Sequence, residues 1–200
     1  MQPERIAGIV LAAGLGSRMG RNKMLIDLQG RSVVRRAVET ATAARLSPVL
    51  VVMGHEHERV EADLNGLLYS KVINPDYAQG MNTSLRAGIA AVPDDCAGAL
   101  VMLADMPLVD ARMLTDLCTA FRNKQSPLVV STYDGVVAPP IVYGRALFAE
   151  LLSLRAEDCG KRVVKAHRAE ALELAWPASA LTDLDLPADV DRVLAELQHA

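Results

Sequence analysis

Short apolar runs alternate along this chain with stretches in which apolar residues recur at helical spacing. Continuous apolar runs, as opposed to strict alternation, are typical of a parallel sheet that helices cover on both faces. Six such runs predict buried strands: Ile6 to Ala13, Val49 to Met53, Val72 to Ile73, Ala99 to Leu103, Leu128 to Ser131 and Ile141 to Tyr143.

The stretches between these runs predict amphipathic helices. Ser32 and Asp110 each precede a segment whose apolar residues fall on one side of a helix, and a third such segment follows Asn82. A last helix is predicted near the carboxyl terminus, where Pro187 and Asp189 occupy the first turn. Strands that alternate with helices predict a three-layer α/β fold, Rossmann-like, with a mostly parallel sheet and helices on both faces.

One stretch interrupts this alternation. From Tyr133 to Tyr143 the chain carries Pro139 and Pro140 and shows no helical pattern. We therefore expect an antiparallel excursion or a lid in this stretch. No repeat or low-complexity segment divides the sequence, and its length is that of one domain, so we predict a single domain over residues 1–200.

Composition narrows the class of protein. Apolar residues make up 51% of the 200 residues and aromatic residues only 4%, which predicts an aliphatic core large enough to need no disulfide or structural metal. The three cysteines, at positions 96, 118 and 159, form no CxxC pair, and this favours a reducing, cytoplasmic setting. A net charge of −3 argues against a general binder of nucleic acids or anionic membranes.

The charge is, however, unevenly distributed. The first 50 residues carry eight Lys or Arg against three acidic residues, while residues 170–200 carry seven acidic residues against Arg192 alone. The net value therefore conceals a local basic segment, which a small phosphate ligand needs, and an acidic tail.

The basic segment contains the most informative motif, LAAGLGSRMGRNK, from Leu11 to Lys23. Glycines allow backbone N–H groups to approach a phosphate closely, and the cations at 18, 21 and 23 can neutralise a triphosphate. The glycine spacing fits neither the dinucleotide fingerprint nor the Walker A pattern, and no acidic residue closes the second strand, so a nicotinamide enzyme is not expected. The alternative interpretation is a tight turn with solvated basic side chains.

Two further segments are expected at the same edge of the sheet. Asp105 ends a buried strand in ALVMLADMPLV, where a lone carboxylate suits Mg²⁺; a turn aspartate is the alternative. The other segment, NPDYAQGMNTSL, offers a nucleotide polar groups and free N–H donors at Gly80, Asn82 and Ser84. The alternative interpretation of these polar residues is that they cap the following helix. Ligands of open α/β sheets bind at the carboxyl ends of the strands, so we expect these segments to form one site.

Other chemically suggestive residues have simpler interpretations. The cluster from His55 to Glu58 looks like a metal site, but residues two apart on a helix do not face one another, so we predict a solvated helix start. No base is evident for the Cys159 thiol, and Trp176 is expected to pack in the core or at an edge.

Taken together, these motifs resemble the nucleotidyltransferases related to molybdopterin guanylyl- and cytidylyltransferases, and most closely the molybdenum cofactor cytidylyltransferase branch. The resemblance covers nearly the whole chain. The chain matches the family pattern LA[AG]GxSxRMGxxK at 11–23, except that Gly16 replaces the usual serine. It also matches GMxxSL at 80–85, DMP at 105–107 and the G…PP-aliphatic stretch at 135–143. Two elements depart from the family pattern: GDxGAR appears as EDCGKR at 157–162, and DIDTPEDL as TDLDLPAD at 182–189.

The resemblance implies a nucleotidyltransferase that uses Mg²⁺ or Mn²⁺, moves a nucleoside monophosphate from an NTP to a phosphate-bearing acceptor and releases pyrophosphate. It assigns catalysis to Arg18, Lys23 and Asp105, and metal binding to Asp105 and Asp185. It assigns nucleotide binding to Leu11, Ala12, Ala13, Gly14, Gly16, Ser17, Arg18, Lys23, Gly80, Asn82, Ser84 and Asp105. It assigns acceptor binding to Pro140, Asp158, Gly160 and Arg162. A phosphate acceptor is already ionised near neutral pH, so no general base is expected.

Position 13 bears on the choice of base. The cytidylyl branch resembles LAAG and the guanylyl branch LAGG, and this chain has Ala13, whose Cβ narrows the pocket against a purine. This favours CTP as the nucleotide. The resemblance implies the molybdopterin form of the molybdenum cofactor as the acceptor, and a molybdenum hydroxylase apoenzyme or its maturation chaperone as a further partner. The alternatives are guanylyl transfer, a sugar or polyol phosphate acceptor, or a module that delivers the cofactor without turnover.

Overall fold

In a computed structural model of the chain, which describes residues 4–14, 22–124, 126–155 and 160–198, seven strands form one sheet. The strands are β1 (Arg5–Ala12), β2 (Val49–Met53), β3 (Ser70–Ile73), β4 (Cys96–Leu103), β5 (Leu128–Tyr133), β6 (Val136–Gly144) and β7 (Leu172–Trp176). Their order across the sheet is β3-β2-β1-β4-β6-β5-β7, and β6 alone among these seven runs against the others. The predicted α/β fold with a mostly parallel sheet is confirmed.

Helices cover both faces of this sheet. They are α1 (Val33–Ala43), α2 (His57–Asp63), α3 (Met81–Ala90), α4 (Ala111–Lys124), α5 (Phe148–Ser153), α6 (Lys161–Ala166) and α7 (Pro187–Leu197). Buried residues of α1, α2 and α4 pack on one face, and those of α3, α5 and α6 pack on the other. The predicted caps are present, since Ser32 Oγ accepts a hydrogen bond from the Arg35 N–H at 3.1 Å and Asp110 Oδ1 accepts one from Met113 at 2.8 Å.

The two apolar layers explain the sequence pattern of the strands. Every residue of β2 and of β5 is buried, as strands need to be when both faces of the sheet are covered. Burial of these aliphatic side chains removes apolar surface from water. This stabilises the folded state by about 25 cal/mol for each Å² that is buried. None of the helices in the described ranges is both long and apolar enough to cross a bilayer.

The stretch from Tyr133 to Tyr143 is the antiparallel excursion that the sequence predicts. Asp134 and Gly135, with φ of 48° and 78°, form a tight turn between β5 and β6, a conformation that an Asp-Gly pair adopts readily. Strand β6 then returns between β4 and β5. The sequence reasoning missed β7 at the sheet edge, where half-buried and exposed positions alternate and no residue is fully buried. Trp176 at its end donates a hydrogen bond to Ser131 Oγ at 2.9 Å.

Candidate active site

The loop after β1 begins the site at the carboxyl edge of the sheet. Ala13 and Gly14 follow the strand, and the chain returns to this edge at Asn22, whose Oδ1 accepts a hydrogen bond from the Met24 N–H at 3.0 Å. This contact caps a short 3-10 helix at Lys23–Leu25 and fixes the backbone of Lys23. A Cβ on Gly14 would lie 3.9 Å from Cε of Lys23, so the two ends of the loop meet. The predicted residues Gly16, Ser17 and Arg18 lie outside the described residues.

Lys23 joins two of the predicted carboxylates. Its Nζ donates hydrogen bonds to the Asp105 carboxylate and, at 3.1 Å, to Asp185 Oδ1. The side chains of Lys23 and Asp105 are only 13% and 17% exposed, so water screens their attraction weakly. Burial lowers the pKa of Lys23, but the charges of Asp105 and Asp185 outweigh that effect and raise the pKa above its usual value. The ammonium group therefore remains charged across the physiological pH range.

The carboxyl-terminal segment reaches this edge through backbone hydrogen bonds. The Leu184 N–H donates to the carbonyl of Asp105 at 3.0 Å, which ties the segment to the turn after β4. Asp189 Oδ2 accepts from the N–H groups of Asp185 and Leu186, at 3.1 and 2.7 Å, and holds the start of α7. Carboxylates that are about 80 residues apart in the chain are brought together in this way.

Asp183 adds a third carboxylate that the sequence reasoning did not assign to the site. Burial raises its pKa to about 6, and the neighbouring charges of Asp105 and Asp185 act in the same direction. The DxD spacing within TDLDLPAD was the signal that could have identified it. With Lys23 as the compensating cation, these three carboxylates leave an excess of negative charge.

That excess suits a divalent cation. Within the described ranges, no group of three His, Cys, Asp or Glu side chains is arranged to hold a metal ion by itself. Mg²⁺, however, is usually bound by one or two carboxylates together with water and substrate phosphates. The chemistry of Asp105 and Asp185 fits this mode, in which the nucleotide completes the coordination.

A cavity of about 250 Å³, here called the small cavity, opens beside these groups. It is lined by Leu11, Ala13, Gly14, Lys23, Met24, Tyr77, Met81, Ser84, Leu103 and Asp105. Asn74, which is 3% exposed, donates from Nδ2 to Ser84 Oγ at 2.9 Å and to Thr83 Oγ1 at 2.8 Å. Sequence reasoning assigned no role to Asn74, although it holds the start of α3 against the loop after β3.

A second cavity of about 550 Å³, here called the large cavity, adjoins the first and shares Leu11, Met81 and Leu103 with it. Its other lining residues are Asn82, Leu85, Val101, Met106, Val136, Val137, Ala138, Pro139, Ile141, Tyr143, Gly160, Lys161, Val164, Leu181 and Asp183. Asn82, which we predict to bind nucleotide, lines this cavity and donates to the Arg155 carbonyl at 3.3 Å. Most of the lining side chains are aliphatic, and the antiparallel strand β6 supplies one wall.

The other predicted residues take varied positions. Ala12 packs in the core, and Gly80 has φ of 127° at the start of α3, a conformation that favours glycine. Pro140 is buried in β6 beside the cavity-lining Pro139, and its carbonyl accepts from Ser131 Oγ at 2.7 Å. Arg162 is exposed on α6. Asp158 lies outside the described residues.

The His55 to Glu58 cluster is a helix start, as predicted. Glu56, at φ of 49°, precedes α2, and its carboxylate pairs with Arg59 at 2.5 Å. Cys96 and Cys118 are free and buried, and burial raises the pKa of both thiols, that of Cys118 to about 11. These groups contribute to packing, and they lie outside both cavities.

A model of the MobA-like NTP transferase domain matches residues 8–171, which is most of the chain. The chain belongs to the MobA-like NTP transferase family. Purine catabolism protein PucB of Bacillus subtilis is 28% identical over 203 residues, covering 96% of this chain and 98% of that protein. The bifunctional protein GlmU of Mycobacterium marinum is 36% identical over 151 residues, but this chain spans only about a third of its length, since the match covers 30% of that protein.

Solved structures agree with this membership. The crystal structure of Rv0371c from Mycobacterium tuberculosis superposes with a TM-score of 0.86 at 25% identity, covering 97% of this chain and all of that one. Its complex with manganese gives a TM-score of 0.82 at 26% identity, covering 96% and 98%. Molybdopterin-guanine dinucleotide biosynthesis protein A of Archaeoglobus fulgidus shares the fold, with a TM-score of 0.72 at 16% identity over 98% of this chain and all of that one. This MobA-like chain is thus a nucleotidyltransferase by family, and the observed sheet and helices are those of its solved relatives.

Proposed function

We propose that this MobA-like transferase moves CMP from CTP to the phosphate of a molybdopterin-type acceptor in the cytoplasm and releases pyrophosphate. The observation that carries the proposal is the meeting of Lys23, Asp105 and Asp185 beside two adjoining cavities. Lys23 and Asp105 line the small cavity, and Asp183 lines the large one. A phosphoryl donor and an acceptor in these two cavities would meet at the charged groups.

In the proposed step, a phosphate oxygen of the acceptor attacks the α-phosphorus of CTP. The bond from the α-phosphorus to the bridging oxygen breaks, and pyrophosphate leaves with the bonding electron pair. Lys23 donates hydrogen bonds to the triphosphate and offsets the charge that develops on pyrophosphate. No side chain has to remove a proton, because a phosphate monoester with a second pKa near 6 is mostly ionised at neutral pH.

Asp105 and Asp185 would hold the divalent metal, Mg²⁺ or Mn²⁺. The bound ion supplies positive charge that neutralises the phosphate oxygens. The excess of carboxylates around Lys23 supports this assignment, as does the manganese complex of Rv0371c. Lys23 would then turn from the carboxylates to the phosphates.

The two cavities support the choice of substrates. Ala13 lines the small cavity, where its Cβ leaves less room for a purine than a glycine would. The large cavity is mostly aliphatic, and an apolar wall leaves the hydroxyl groups of a sugar or polyol without hydrogen-bond partners, at a cost in free energy. A flat ring system with a phosphate at one end suits this lining better.

The proposal is tested by measuring pyrophosphate release with CTP or GTP, in the presence of Mg²⁺ or Mn²⁺, and with a panel of acceptors. We expect turnover with CTP and a molybdopterin-bearing acceptor, and little with sugar or polyol phosphates. A preference for GTP would contradict the interpretation of Ala13. Tight CTP binding without pyrophosphate for any acceptor would instead favour a delivery module for molybdenum enzymes.

A further inference from the structure

The large cavity contains two charged side chains that differ in their surroundings. Among its described lining residues, Asp183 and Lys161 are the charged ones. Asp183 lies with Asp105, Asp185 and Lys23, whose charges act on it. Lys161 begins α6 and forms no ion pair with a carboxylate in the described ranges, although the wall around it is apolar.

The two charges occupy separate parts of the lining. A Cβ on Gly160, next to Lys161, would lie 3.2 Å from Leu85 Cδ2 and 3.5 Å from Tyr143 Oη. The lysine backbone is therefore anchored beside Leu85 and the hydroxyl end of Tyr143. The charges that act on Asp183 are those of Asp105, Asp185, Lys23 and Asp189, and Lys161 is not among them.

An ammonium group on an apolar wall gains from an anionic ligand, because the wall offers few competing hydrogen-bond partners. Lys161 and Lys165 are both exposed on α6, but of the two only Lys161 is among the residues that line the cavity. Position 161 therefore places a cation where a cavity occupant can contact it.

We propose that Lys161 is a specificity-determining residue that binds a second anionic group of the acceptor, at the end remote from the phosphate that receives CMP. The acceptor class is then a ring compound with a phosphate at one end and a second anionic group at the other. This inference rests on the proposed transferase function only in naming the occupant of the large cavity as the acceptor. The binding preference itself can be measured without CTP or turnover.

Two fluorescent dyes with matched ring systems test the preference directly. 1-Anilinonaphthalene-8-sulfonate carries one anionic group, and N-phenyl-1-naphthylamine has the same rings without it. We expect Lys161→Met to weaken binding of the sulfonate dye about fivefold while the neutral dye changes less than twofold. Such a change corresponds to about 1 kcal/mol, the size of one charge-assisted contact at a partly exposed site. Lys161→Arg should restore most of the affinity, and Lys165→Met should leave both dyes unaffected.

Two further variants make the outcome decisive. Ala138→Phe places a large side chain of β6 in the large cavity and should weaken the binding of both dyes, which would locate the dyes in that cavity. Thermal melting followed by circular dichroism verifies that each variant folds. Equal weakening of both dyes by Lys161→Met would show that the side chain acts by packing and not by charge, and would overturn the proposal. So would unchanged affinity for the sulfonate dye, or dye binding that Ala138→Phe does not reduce.

Turnover then separates this inference from the proposed function. With the molybdopterin-bearing acceptor, Lys161→Met should raise the KM for the acceptor about fivefold and leave the KM for CTP and kcat unchanged. A dye preference without any turnover would sustain the anion site and refute the transferase assignment. Turnover with an unchanged acceptor KM would refute the role of Lys161 and leave the transferase assignment standing.

Discussion

The small and large cavities adjoin each other but are built in different ways. The small cavity is lined mainly by residues that follow β1, β3 and β4 at one edge of the sheet, within the segments 11–14, 77–84 and 103–105. The large cavity adds β6, α6 and the segment around Asp183, which are far apart in the chain. Under the proposed function, short segments at the strand ends would carry the nucleotide chemistry, whereas recognition of the acceptor would depend on how distant elements pack.

Their electrostatics differ as well. At the small cavity, the Lys23 side chain is mostly shielded from water and is paired with two carboxylates, so a change there would alter charges that act on the phosphates in the proposed reaction. The lining of the large cavity is mostly aliphatic, and Lys161 is not among the charges that act on Asp183, so a change at Lys161 is expected to alter affinity for the occupant. We therefore expect variants on the small-cavity side to reduce kcat or change metal and nucleotide binding, and variants around Lys161 to change the acceptor KM.

The largest effect is expected for Asp105→Asn. The change removes a negative charge next to Lys23 and one of the two proposed metal ligands, so kcat for pyrophosphate release with CTP should fall at least about a hundredfold. Binding of the sulfonate dye to the large cavity should change less than twofold. Asp116→Asn, an equivalent change on the exposed part of α4, is the control. Unchanged turnover in Asp105→Asn would remove this carboxylate from the mechanism.

A second prediction concerns competition between Lys23 and the metal. The ammonium group occupies Asp105 and Asp185, and a cation that binds without nucleotide has to displace it. Lys23→Met should therefore tighten binding of Mn²⁺ alone, by about tenfold, while it reduces turnover. Isothermal titration calorimetry of the nucleotide-free protein measures the affinity.

Lys161→Met is the matched control for that titration, because it removes a cation from the large cavity and should leave the affinity for Mn²⁺ unchanged. Weaker Mn²⁺ binding in Lys23→Met would mean that the lysine positions the carboxylates for the metal and does not compete with it. An equal change in Mn²⁺ affinity in both variants would indicate a long-range effect of net charge. It would contradict the proposed electrostatic difference between the two cavities.

The same contrast explains what the sequence could predict. Lys23, Asp105 and Ser84 each lie in a polar or glycine-containing segment that follows a strand, so local pattern was enough to place them at one edge. Strand β7 was missed because LELAW lies at the edge of the sheet, where its residues are half-buried or exposed and form no continuous buried run. Its pairing with β5 is a tertiary contact that the local pattern does not encode.

The acceptor side was harder for the same physical reason. The DxD spacing of TDLDLPAD could have identified Asp183, but its raised pKa depends on burial and on Asp105, which is distant in sequence, so the local pattern does not reveal the surroundings of this carboxylate. Asn82 lies two residues from Ser84, yet it lines the large cavity, because positions two apart on a helix point in different directions. The family resemblance gave Asp185 its place. Lys161 and Arg162 could be interpreted from the sequence either as cations for an anionic acceptor or as a solvated helix start, and only the structure places Lys161 in the lining of the large cavity.

The smallest expected effect is on the choice of base, and Ala13→Gly measures it. Ala13 lines the small cavity, and removal of its Cβ should give a purine more room. One methyl group is worth about 0.8 kcal/mol, so the ratio of kcat/KM for CTP to that for GTP should fall about fourfold. Ala12→Gly is the matched control, because Ala12 packs in the core and should leave the ratio unchanged even if it lowers stability. An unchanged ratio in Ala13→Gly would show that the base is read elsewhere in the small cavity, whereas an equal fall in both variants would mean that the loop, and not the Cβ, selects the nucleotide.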